Sequence, residues 1–500
     1  MGVRSNKTIL YLMVIAALIE GFTGLGIEIY AMRLAGSYIG TSISITGIII
    51  GIMLIAIAFG YWWGGRISNK IQKSKKMAAA GWLLGLSAMA QASMVMLQAP
   101  LLFVLMQFKI DGLISATLLS MNFTMGMVFA TASIPVMTQV MVDAVNDEEL
   151  AGKYTGILVA STTLGSVLGS ILTPIALLPT IGLQATISLM LILLASASLL
   201  VLFGAKTSPN AWGKAIDNLF MVIMVVWVLL LSGFNYFNKF DTSIQTKVTG
   251  WYIFDASENT GSGSPQKTIM TDTPNKLFSS CWQRETKTAC DAFYPNQFIA
   301  NIIANRPSTI LMFGGAGLSI PSDHRVTDAN PNIKITVVDL DGELPAIASR
   351  EYLKQPLGQH INFVQKDVRS YILANKNKHY DMVMLDVFRG KYVDGVTYTL
   401  ENLQDIKAMS NKVVANVIGI PQQDNVYTQT IANTWVRAFG GNAHWVLDAP
   451  NLSHPQGIIF CSFKCVNAEQ ITTSPYFKKS EVVNTLDKVV TDGYRQQQSI

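Results

Sequence analysis

The chain has few charged residues, few histidines and few cysteines. Charged residues make up 14% of its 500 residues and apolar residues 50%, which is apolar-rich for a soluble protein. Its 5 histidines are scattered along the chain. Cys461 and Cys465 have the spacing of a CxxxC metal pair, but neither a second pair nor a histidine cluster accompanies them. We therefore expect no zinc site and no other metal site.

Charge is missing above all from the amino-terminal half. Before about residue 236 the chain contains seven long, nearly charge-free stretches, near residues 8–32, 38–62, 77–97, 112–141, 154–178, 183–204 and 219–236. A helix of about 20 residues crosses a hydrocarbon core of roughly 30 Å. The first stretch is too long for a signal peptide and lacks a small-residue cleavage pattern. The sequence thus predicts a multi-pass transmembrane helical domain over residues 1–236, with about seven spans in a lipid bilayer.

The loops between these stretches differ in their content of lysine and arginine. One set of alternate loops contains Arg4, Lys7, Arg66, Lys70, Lys73, Lys75, Lys76, Lys153, Lys206 and Lys214, and the other contains Arg33 and Lys109. Because cytoplasmic loops are rich in these cations, we predict a cytoplasmic amino terminus and, after seven spans, an extracytoplasmic (periplasmic) carboxyl-terminal domain. One missed span would reverse that side. The cluster at residues 66–76 accounts for much of the net charge of +5, so we expect no nucleic-acid partner.

Small residues and two acids stand out within the first five stretches. Glycine pairs four residues apart predict close helix packing, at Gly47/Gly51, Gly60/Gly64 and Gly165/Gly169. A carboxylate at membrane depth is costly unless it faces a partner or a wet cavity. Arg33 is near enough to pair with Glu28, whereas Glu20 has no evident partner. A structural ion pair and a polar cavity or proton site are both open.

All four cysteines lie in the carboxyl-terminal half, at Cys281, Cys290, Cys461 and Cys465. An even number is typical of disulfides in an oxidising compartment, which agrees with the predicted extracytoplasmic side. Four cysteines allow three pairings, and free thiols are the alternative. A bridge between Cys281 and Cys290 is the favoured one.

The carboxyl-terminal half changes from a polar segment to alternating strands and helices. Residues 237–300 predict a linker and a small β-hairpin layer, because short β-type runs alternate with turn residues. Residues 301–500 contain apolar runs that predict strands, at 309–313, 335–339, 361–367, 381–388, 413–418, 444–447 and 458–463. Runs this apolar are typical of strands covered on both faces, so we predict a doubly wound α/β domain.

A glycine turn and three acids follow the first four of these strands. Gly314, Gly315 and Gly317 come directly after the first strand, and Asp339, Asp367 and Asp386 follow or end the next three. Ligands of such sheets bind at the carboxyl ends of the strands, where a glycine turn allows close approach. An acid after the second strand can accept hydrogen bonds from ribose hydroxyls. The pattern predicts a nucleoside site, although a tight structural turn would also explain the glycines.

These motifs resemble those of spermidine synthases, the aminopropyltransferases built on the class I methyltransferase fold. The resemblance implies that Gly314, Gly315, Gly317 and Asp339 hold decarboxylated S-adenosylmethionine and that Asp367 contacts the adenine. It implies that Asp386 deprotonates the attacking amine and that Tyr294 lies near the amine site. The cosubstrate would be adenosine-type, with no tightly bound cofactor.

The amino-terminal half resembles the membrane half of fused spermidine synthase proteins, whose spans look like part of a major-facilitator transporter. The resembling segments include residues 24–33, 60–66, 152–156 and 163–169. Seven spans are fewer than a complete transporter of that class has. We therefore do not expect autonomous alternating access.

Three departures from the family pattern concern charge. Gly317 stands where the family has an aspartate that holds the donor's amine, and Arg389 stands where it has a second strand-end aspartate. Tyr294 precedes Pro295 instead of a histidine.

Two functions stay open: a membrane-integrated aminopropyltransferase-like enzyme, or a non-catalytic extracytoplasmic domain that binds a nucleoside-like ligand, an amine or a partner protein. The non-catalytic domain would work with a transporter-derived membrane bundle. For the chain in general, the expected protein partners are a second copy of itself or another membrane protein. An exported enzyme would also need its cytoplasmic cosubstrate supplied across the membrane.

Overall fold

The computed structural model describes residues 6–38, 43–108, 112–145, 151–205, 211–238, 243–256, 267–272, 280–389, 392–393, 396–448 and 456–485. The chain forms two compact units. The helical unit comprises Met1–Ile39 and Ser44–Lys247, and the α/β unit comprises Gly40–Ile43 and Val248–Ile500.

The helical unit contains seven long helices within its described residues. They are α1 (Asn6–Tyr38), α2 (Ile43–Ser68), α3 (Lys76–Gln107), α4 (Gly112–Val145), α5 (Ala151–Leu172), α6 (Leu178–Gly204) and α7 (Ala211–Asn238). A 3₁₀ turn, Lys73–Lys75, precedes α3, and a π-helical turn, Thr173–Leu177, joins α5 to α6. A two-residue strand, β1 (Ile244–Gln245), follows α7. Each predicted charge-free stretch is therefore helical over its described residues, apart from the π-helical turn.

Six helical segments of the described chain are long and apolar enough to cross a membrane, one fewer than the number of predicted spans. The difference lies in the 54-residue segment Ala151–Gly204, which contains a non-helical residue, Gly182, with φ 79°. Gly26 of α1 lies against both Thr173 and Met190, on opposite sides of that break. The segment therefore folds back on itself and has two arms. Insertion into a membrane stays a prediction.

The basic loops meet at one end of the helical unit. Asp143, near the end of α4, pairs with Lys76 at the start of α3 at 2.9 Å. Trp82, in the second turn of α3, donates to Asp217 near the start of α7 at 2.9 Å. The starts of α3 and α7 and the end of α4 thus share one end. The predicted cytoplasmic cations at positions 4 and 206, and the opposing lysine at 109, lie outside the described residues.

The segment after α7 begins at the other end of this unit. Arg33, near the end of α1, donates to the main-chain oxygens of Thr246 and Lys247 at 3.3 and 3.4 Å. Glu20 is 2% exposed, and its Oε2 has no hydrogen-bond partner among the described residues. The polar cavity or proton site at Glu20 stays a prediction.

Two of the three glycine pairs face neighbouring helices. A Cβ on Gly60 or Gly64 would overlap α4, and a Cβ on Gly165 or Gly169 would overlap the main chain of α1. The pair in the first half of α2, at positions 47 and 51, faces open space, so the packing prediction is wrong there. Close helix approach therefore depends on the second and third pairs.

The α/β unit begins with an antiparallel meander. Its strands are β2 (Gly250–Ala256), β3 (Lys267–Thr271), β4 (Ser280–Gln283) and β5 (Thr288–Ala289). A disulfide joins Cys281 and Cys290, which confirms the predicted bridge. A second disulfide joins Cys461 and Cys465, so the pair that resembles a metal motif is a covalent link.

The larger sheet has eight strands. In chain order they are β6 (Thr309–Phe313), β7 (Lys334–Asp339), β8 (Ile361–Gln365), β9 (Met382–Leu385), β12 (Val413–Gly419), β13 (His444–Leu447), β14 (Gln456–Cys461) and β15 (Glu469–Gln470). A separate two-stranded ribbon pairs β10 (Phe388–Arg389) with β11 (Tyr392–Val393). The helices are α8 (Phe293–Asn305), α9 (Ser319–Ser322), α10 (His324–Ala329), α11 (Leu344–Ile347), α12 (Val368–Ala374), α13 (Leu400–Met409) and α14 (Val426–Phe439).

The strand order of the larger sheet is β15-β13-β14-β12-β9-β6-β7-β8. β6 pairs in parallel with β7 on one side and β9 on the other, and β14 is antiparallel to β12. The chain thus runs outward from β6 to β8 and then returns to β9, which makes the gap between β6 and β9 the topological switch point. This is the predicted doubly wound order of class I methyltransferases, and ligands bind beside such a gap.

A carboxyl-terminal strap, residues 474–485, lies along α14. Gln429 donates to the Tyr476 oxygen and accepts from the Lys478 nitrogen, both at 2.8 Å. One turn later, Asn433 donates to the Lys478 oxygen at 3.0 Å and accepts from the Ser480 nitrogen at 2.8 Å. Side-chain amides on α14 therefore supply hydrogen bonds that a neighbouring strand would otherwise give.

Candidate functional site

The glycine turn after β6 is pressed against the end of β9. Gly314 has φ 84°, a left-handed conformation that favours glycine, and its N–H donates to the Val338 oxygen at 2.9 Å. A Cβ on Gly314 would overlap the main-chain oxygen of Asp386. Gly314 therefore allows the turn to lie directly at the switch point.

Asp339, the last residue of β7, holds this turn. Its Oδ2 accepts the Gly315 N–H at 2.8 Å, and its Oδ1 accepts the Asp341 N–H at 3.0 Å. Burial raises the pKa of Asp339, and these two N–H groups partly offset that effect. Since each carboxylate oxygen can accept a second hydrogen bond, Asp339 retains capacity for ribose hydroxyls.

Asp341 supports the same corner, although the sequence does not single it out. It is 2% exposed, accepts from Trp251 Nε1 at 2.8 Å and accepts the Glu343 N–H at 3.1 Å. Trp251 belongs to β2, so this bond ties the meander to the end of β7. In the sequence, the position of Asp341 two residues after Asp339 is the feature that could have indicated a role at this corner.

Gly317 is enclosed by a tyrosine. Its N–H donates to Ser280 Oγ at 3.0 Å, and a Cβ at this position would overlap the ring of Tyr352. Tyr352 is fully buried, and burial raises its pKa well above the usual value while Ser319 and Ser280 lower it. The space where the resembling enzymes have a carboxylate therefore contains a neutral aromatic ring.

Asp386 follows β9 and lies opposite the glycine turn. Its main-chain N–H donates to the Phe313 oxygen at 2.8 Å, and its Oδ1 accepts from Asn416 Nδ2 at 2.9 Å. Burial raises the pKa of Asp386 to about 6, with a smaller contribution from the charge of Asp339, while Asn416 lowers it. A carboxylate with such a pKa is suited to accept a proton near neutral pH.

Tyr294, in the first turn of α8, lies within electrostatic reach of Asp386. Burial raises the pKa of Tyr294 well above its usual value, and Asp386 and then Tyr352 raise it further, whereas Ser280 lowers it. The phenol therefore stays protonated. The structure brings the two residues of the predicted amine site together, and their roles stay predictions.

Among the described residues, Asp367 contacts α12 and not this cluster. It is exposed, and its Oδ1 accepts the Ser370 N–H at 3.0 Å, so it caps α12. The adenine contact implied by the resemblance stays a prediction. Arg389 pairs with Tyr392 in the small ribbon, and its side chain lies outside the described residues.

The fold and the site together define a doubly wound α/β domain in which the glycine turn, Asp339 and Asp386 meet at the switch point. No family profile matches the chain. The polyamine aminopropyltransferase of Vibrio vulnificus (strain CMCP6) is 30% identical over 129 residues, which covers 25% of this chain and 42% of that protein. The chain thus spans less than half of the relative that it matches.

Two solved structures are also similar. A probable spermidine synthase from Corynebacterium glutamicum ATCC 13032 is 18% identical with a TM-score of 0.36, and the match covers 46% of this chain and 85% of that one. Spermidine synthase from Thermotoga maritima is 13% identical with a TM-score of 0.28, covering 52% and 95%. The doubly wound fold follows from the strand order of the larger sheet. The chain is similar to spermidine synthases, as predicted, and the resemblance of its helical half to transporters stays a prediction.

Proposed function

We propose that the chain is a membrane-integrated, spermidine synthase-like enzyme that transfers an aminopropyl group from a decarboxylated S-adenosylmethionine-type donor to an amine. The observation that carries this proposal is the position of Asp386. Its carboxylate is partly buried, is hydrogen-bonded to Asn416 and lies across the switch point from the turn that Asp339 holds. A base and a nucleoside site beside each other are what this reaction needs.

Each residue of the site has a separate role in the proposed reaction. The glycine turn and Asp339 would bind the nucleoside, with Asp339 accepting ribose hydroxyls. The amine nitrogen attacks the carbon attached to the sulfonium, the carbon–sulfur electron pair passes to sulfur, and Asp386 accepts a proton from the nitrogen. Proton acceptance by a positioned base contributes about 100- to 10,000-fold, and holding the reactants together contributes more. Tyr294 would stay protonated and donate a hydrogen bond beside Asp386.

The proposed setting is a cell membrane, with the amino terminus in the cytoplasm and the α/β unit outside it. The distribution of lysine and arginine supports this, as does the meeting of the basic loops at one end of the helical unit. The partners would then be the bilayer, a small amine and a nucleoside-type cosubstrate, and not nucleic acid. An oligomer or a membrane partner that supplies the cosubstrate would complete the system.

Calorimetry on the full-length protein in detergent tests the nucleoside site. We expect heat of binding with methylthioadenosine or decarboxylated S-adenosylmethionine, and weaker binding of both by the Asp339→Ala variant. Mass spectrometry of donor and amine mixtures then tests transfer, which Asp386→Asn should abolish without loss of nucleoside affinity. No heat with either nucleoside or with S-adenosylmethionine would overturn the proposal.

A second candidate function is a non-catalytic binding domain. The contact between Gly317 and Tyr352 favours it, because this contact removes the space for the carboxylate that would hold an aminopropyl amine. A buried ammonium without an acid is heavily penalised. Nucleoside binding without consumption of the donor by any amine would favour this second function.

A further inference from the structure

β12 loses one of its two strand partners where it reaches the site. It pairs with β14 through its last residue, whereas its pairing with β9 ends at Ala415. Just before β12, Lys412 accepts the N–H of Val383, a residue of β9, at 2.8 Å. Alternate residues of a strand direct their main-chain groups to the same neighbour, so the Asn416 oxygen faces the side on which β9 has ended. That oxygen needs a donor from another element.

Tyr398 supplies this donor. Its hydroxyl donates to the Asn416 main-chain oxygen at 3.0 Å, and its side chain is fully buried. The side-chain amide of Asn416 in turn donates to Asp386 Oδ1 at 2.9 Å. The Tyr398 hydroxyl therefore replaces the next hydrogen bond between β9 and β12, and it does so at the residue that holds Asp386.

The carboxyl-terminal strap holds Tyr398 in turn, through the fully buried Asn484. The Asn484 main-chain oxygen accepts the Leu400 N–H at 2.7 Å, and Nδ2 donates to the Tyr398 main-chain oxygen at 3.4 Å. Leu400 is the first residue of α13, where a helix leaves its N–H groups without intrahelical partners. The Asn484 N–H donates to Thr434 Oγ1 of α14 at 2.8 Å. One strap residue thus ties the start of α13, and Tyr398 with it, to α14.

We propose that Tyr398 is a positioning residue for the proposed transfer, acting on Asp386 through Asn416 and held in place by Asn484 of the strap. This inference rests on the proposed function, since it concerns the residue that accepts the proton. A carboxylate that takes a proton from an attacking amine must be held in one orientation. The role is confined to the transfer step, because separate hydrogen bonds hold Asp339 and the glycine turn.

Tyr398→Phe tests the role with little change in volume. We expect kcat to fall by about five- to tenfold, the value of one hydrogen bond, and calorimetric affinity for methylthioadenosine to stay within about twofold of wild type. Asn416 lowers the pKa of Asp386, so a looser contact should move the midpoint of the pH profile of kcat/KM upward from about 6. The other groups that act on Asp386, which are Asp339 and Tyr294, are unchanged in this variant.

Tyr371→Phe is the matched control. Tyr371 is also buried, and its hydroxyl is hydrogen-bonded to that of Tyr380 at 2.8 Å, so this variant loses a buried hydroxyl but should keep the wild-type kcat and midpoint. Asn484→Ala removes the amide that donates to Tyr398 and should move the midpoint upward as Tyr398→Phe does. A wild-type kcat and midpoint in Tyr398→Phe, or an equal shift in Tyr371→Phe, would overturn the role of Tyr398. An unshifted midpoint in Asn484→Ala would overturn the part assigned to the strap.

A comparison of unfolding free energies needs no turnover. Because the pKa of Asp386 is raised in the folded protein, Asp386→Asn should increase the free energy of unfolding at neutral pH. The increase should be larger in the Tyr398→Phe background, since a looser Asn416 leaves that pKa higher still. Equal increases in both backgrounds would contradict the positioning of Asp386 by Tyr398. If wild-type protein binds methylthioadenosine but transfers nothing to any amine, the proposed function fails, and a larger increase in the Tyr398→Phe background would still show that Tyr398 holds Asp386.

Discussion

At the scale of single residues, the site depends on neighbours that hold the reacting groups. Asp339 is held by two main-chain N–H groups, and Asp386 by the amide of Asn416. Burial raises the pKa of both acids, and that of Asp386 reaches about 6. The main-chain N–H groups that Asp339 accepts suit its proposed binding role, and the raised pKa of Asp386 suits its proposed proton-accepting role.

The first prediction is a pH dependence of transfer. Asp386 must be ionised to accept a proton, so activity should rise as the pH passes upward through about 6, the value to which its pKa is raised. The measurement is kcat/KM from about pH 5 to about pH 8, with substrate ionisation corrected from its own titration. A profile that is flat across this range would contradict the role.

Stability gives an independent check of the same carboxyl group. Its pKa is raised from 3.8 to about 6 in the folded protein, so its contribution to stability is fully present below about 4 and is lost as the pH rises through about 6. Asp386→Asn removes the charge, so at neutral pH its free energy of unfolding should exceed that of wild type by at most about 3 kcal/mol. Its unfolding temperature should be higher accordingly. The two proteins should converge near pH 4. Equal midpoints at both pH values would refute the raised pKa.

The second prediction separates the roles of two strand-end acids. Asp339→Ala should weaken nucleoside binding by about 1.5 to 3 kcal/mol, the usual loss for charge-assisted hydrogen bonds. Asp367→Ala should instead cost about 1 kcal/mol of stability, because it removes the cap of α12. Calorimetry and thermal unfolding of both variants measure this. Weakened nucleoside affinity in Asp367→Ala would establish the adenine contact that the resemblance implies.

The third prediction concerns the position where the family has an aspartate and this chain has Gly317. A side chain at position 317 overlaps the buried Tyr352 ring. Gly317→Asp alone should therefore cost about 1 to 3 kcal/mol by overpacking. Adding Tyr352→Ala should recover part of that loss, which a double-mutant cycle of unfolding free energies measures. Strictly additive effects would show that the two positions do not compete for space.

At the scale of elements, the sequence predicts strand interiors better than strand ends. The apolar runs 309–313 and 413–418 correspond to β6 (Thr309–Phe313) and β12 (Val413–Gly419). The run 361–367 is wrong at its end, because β8 stops at Gln365 and Asp367 caps a helix. A local preference for capping thus ends a strand that apolarity alone would continue.

The partners within the site could not be predicted in the same way. Asn416 lies inside a strand, and Tyr352 in a π-helical turn, and no local pattern marks either residue. Their contacts with Asp386 and Gly317 arise from strand order and side-chain volume. The helical break at Gly182 is a similar case, because one glycine decides whether a long apolar segment forms one arm or two.

The fourth prediction is that the carboxyl-terminal strap is held by two amides of α14. Gln429→Ala and Asn433→Ala each remove two hydrogen bonds to the strap, so hydrogen exchange at the main-chain amides of residues 478 and 480 should accelerate by about tenfold. Gln470→Ala is the matched control, because its side chain donates to Gly441 and not to the strap. Exchange that is unchanged in both α14 variants would show that other contacts hold the segment.

At the scale of the whole molecule, the proposed cosubstrate and the predicted topology place the reaction on opposite sides of the membrane. The proposed donor would be made in the cytoplasm, whereas the lysine and arginine distribution predicts that the α/β unit lies outside it. Two disulfides in the α/β unit agree with an oxidising compartment. The helical unit therefore either carries the cosubstrate or has an even number of spans.

The fifth prediction decides between these choices by locating the loops. The basic loops share one end of the helical unit, and the segment after α7 begins at the other end, next to Arg33. We therefore expect a reporter that is active only in the cytoplasm to work when inserted between α4 and α5 and to fail when fused after Ile500, which lies outside the described residues. A reporter active only outside should give the reverse. Activity of the cytoplasmic reporter at both positions would place the α/β unit beside its cosubstrate, remove the need for export, and contradict the prediction of seven spans.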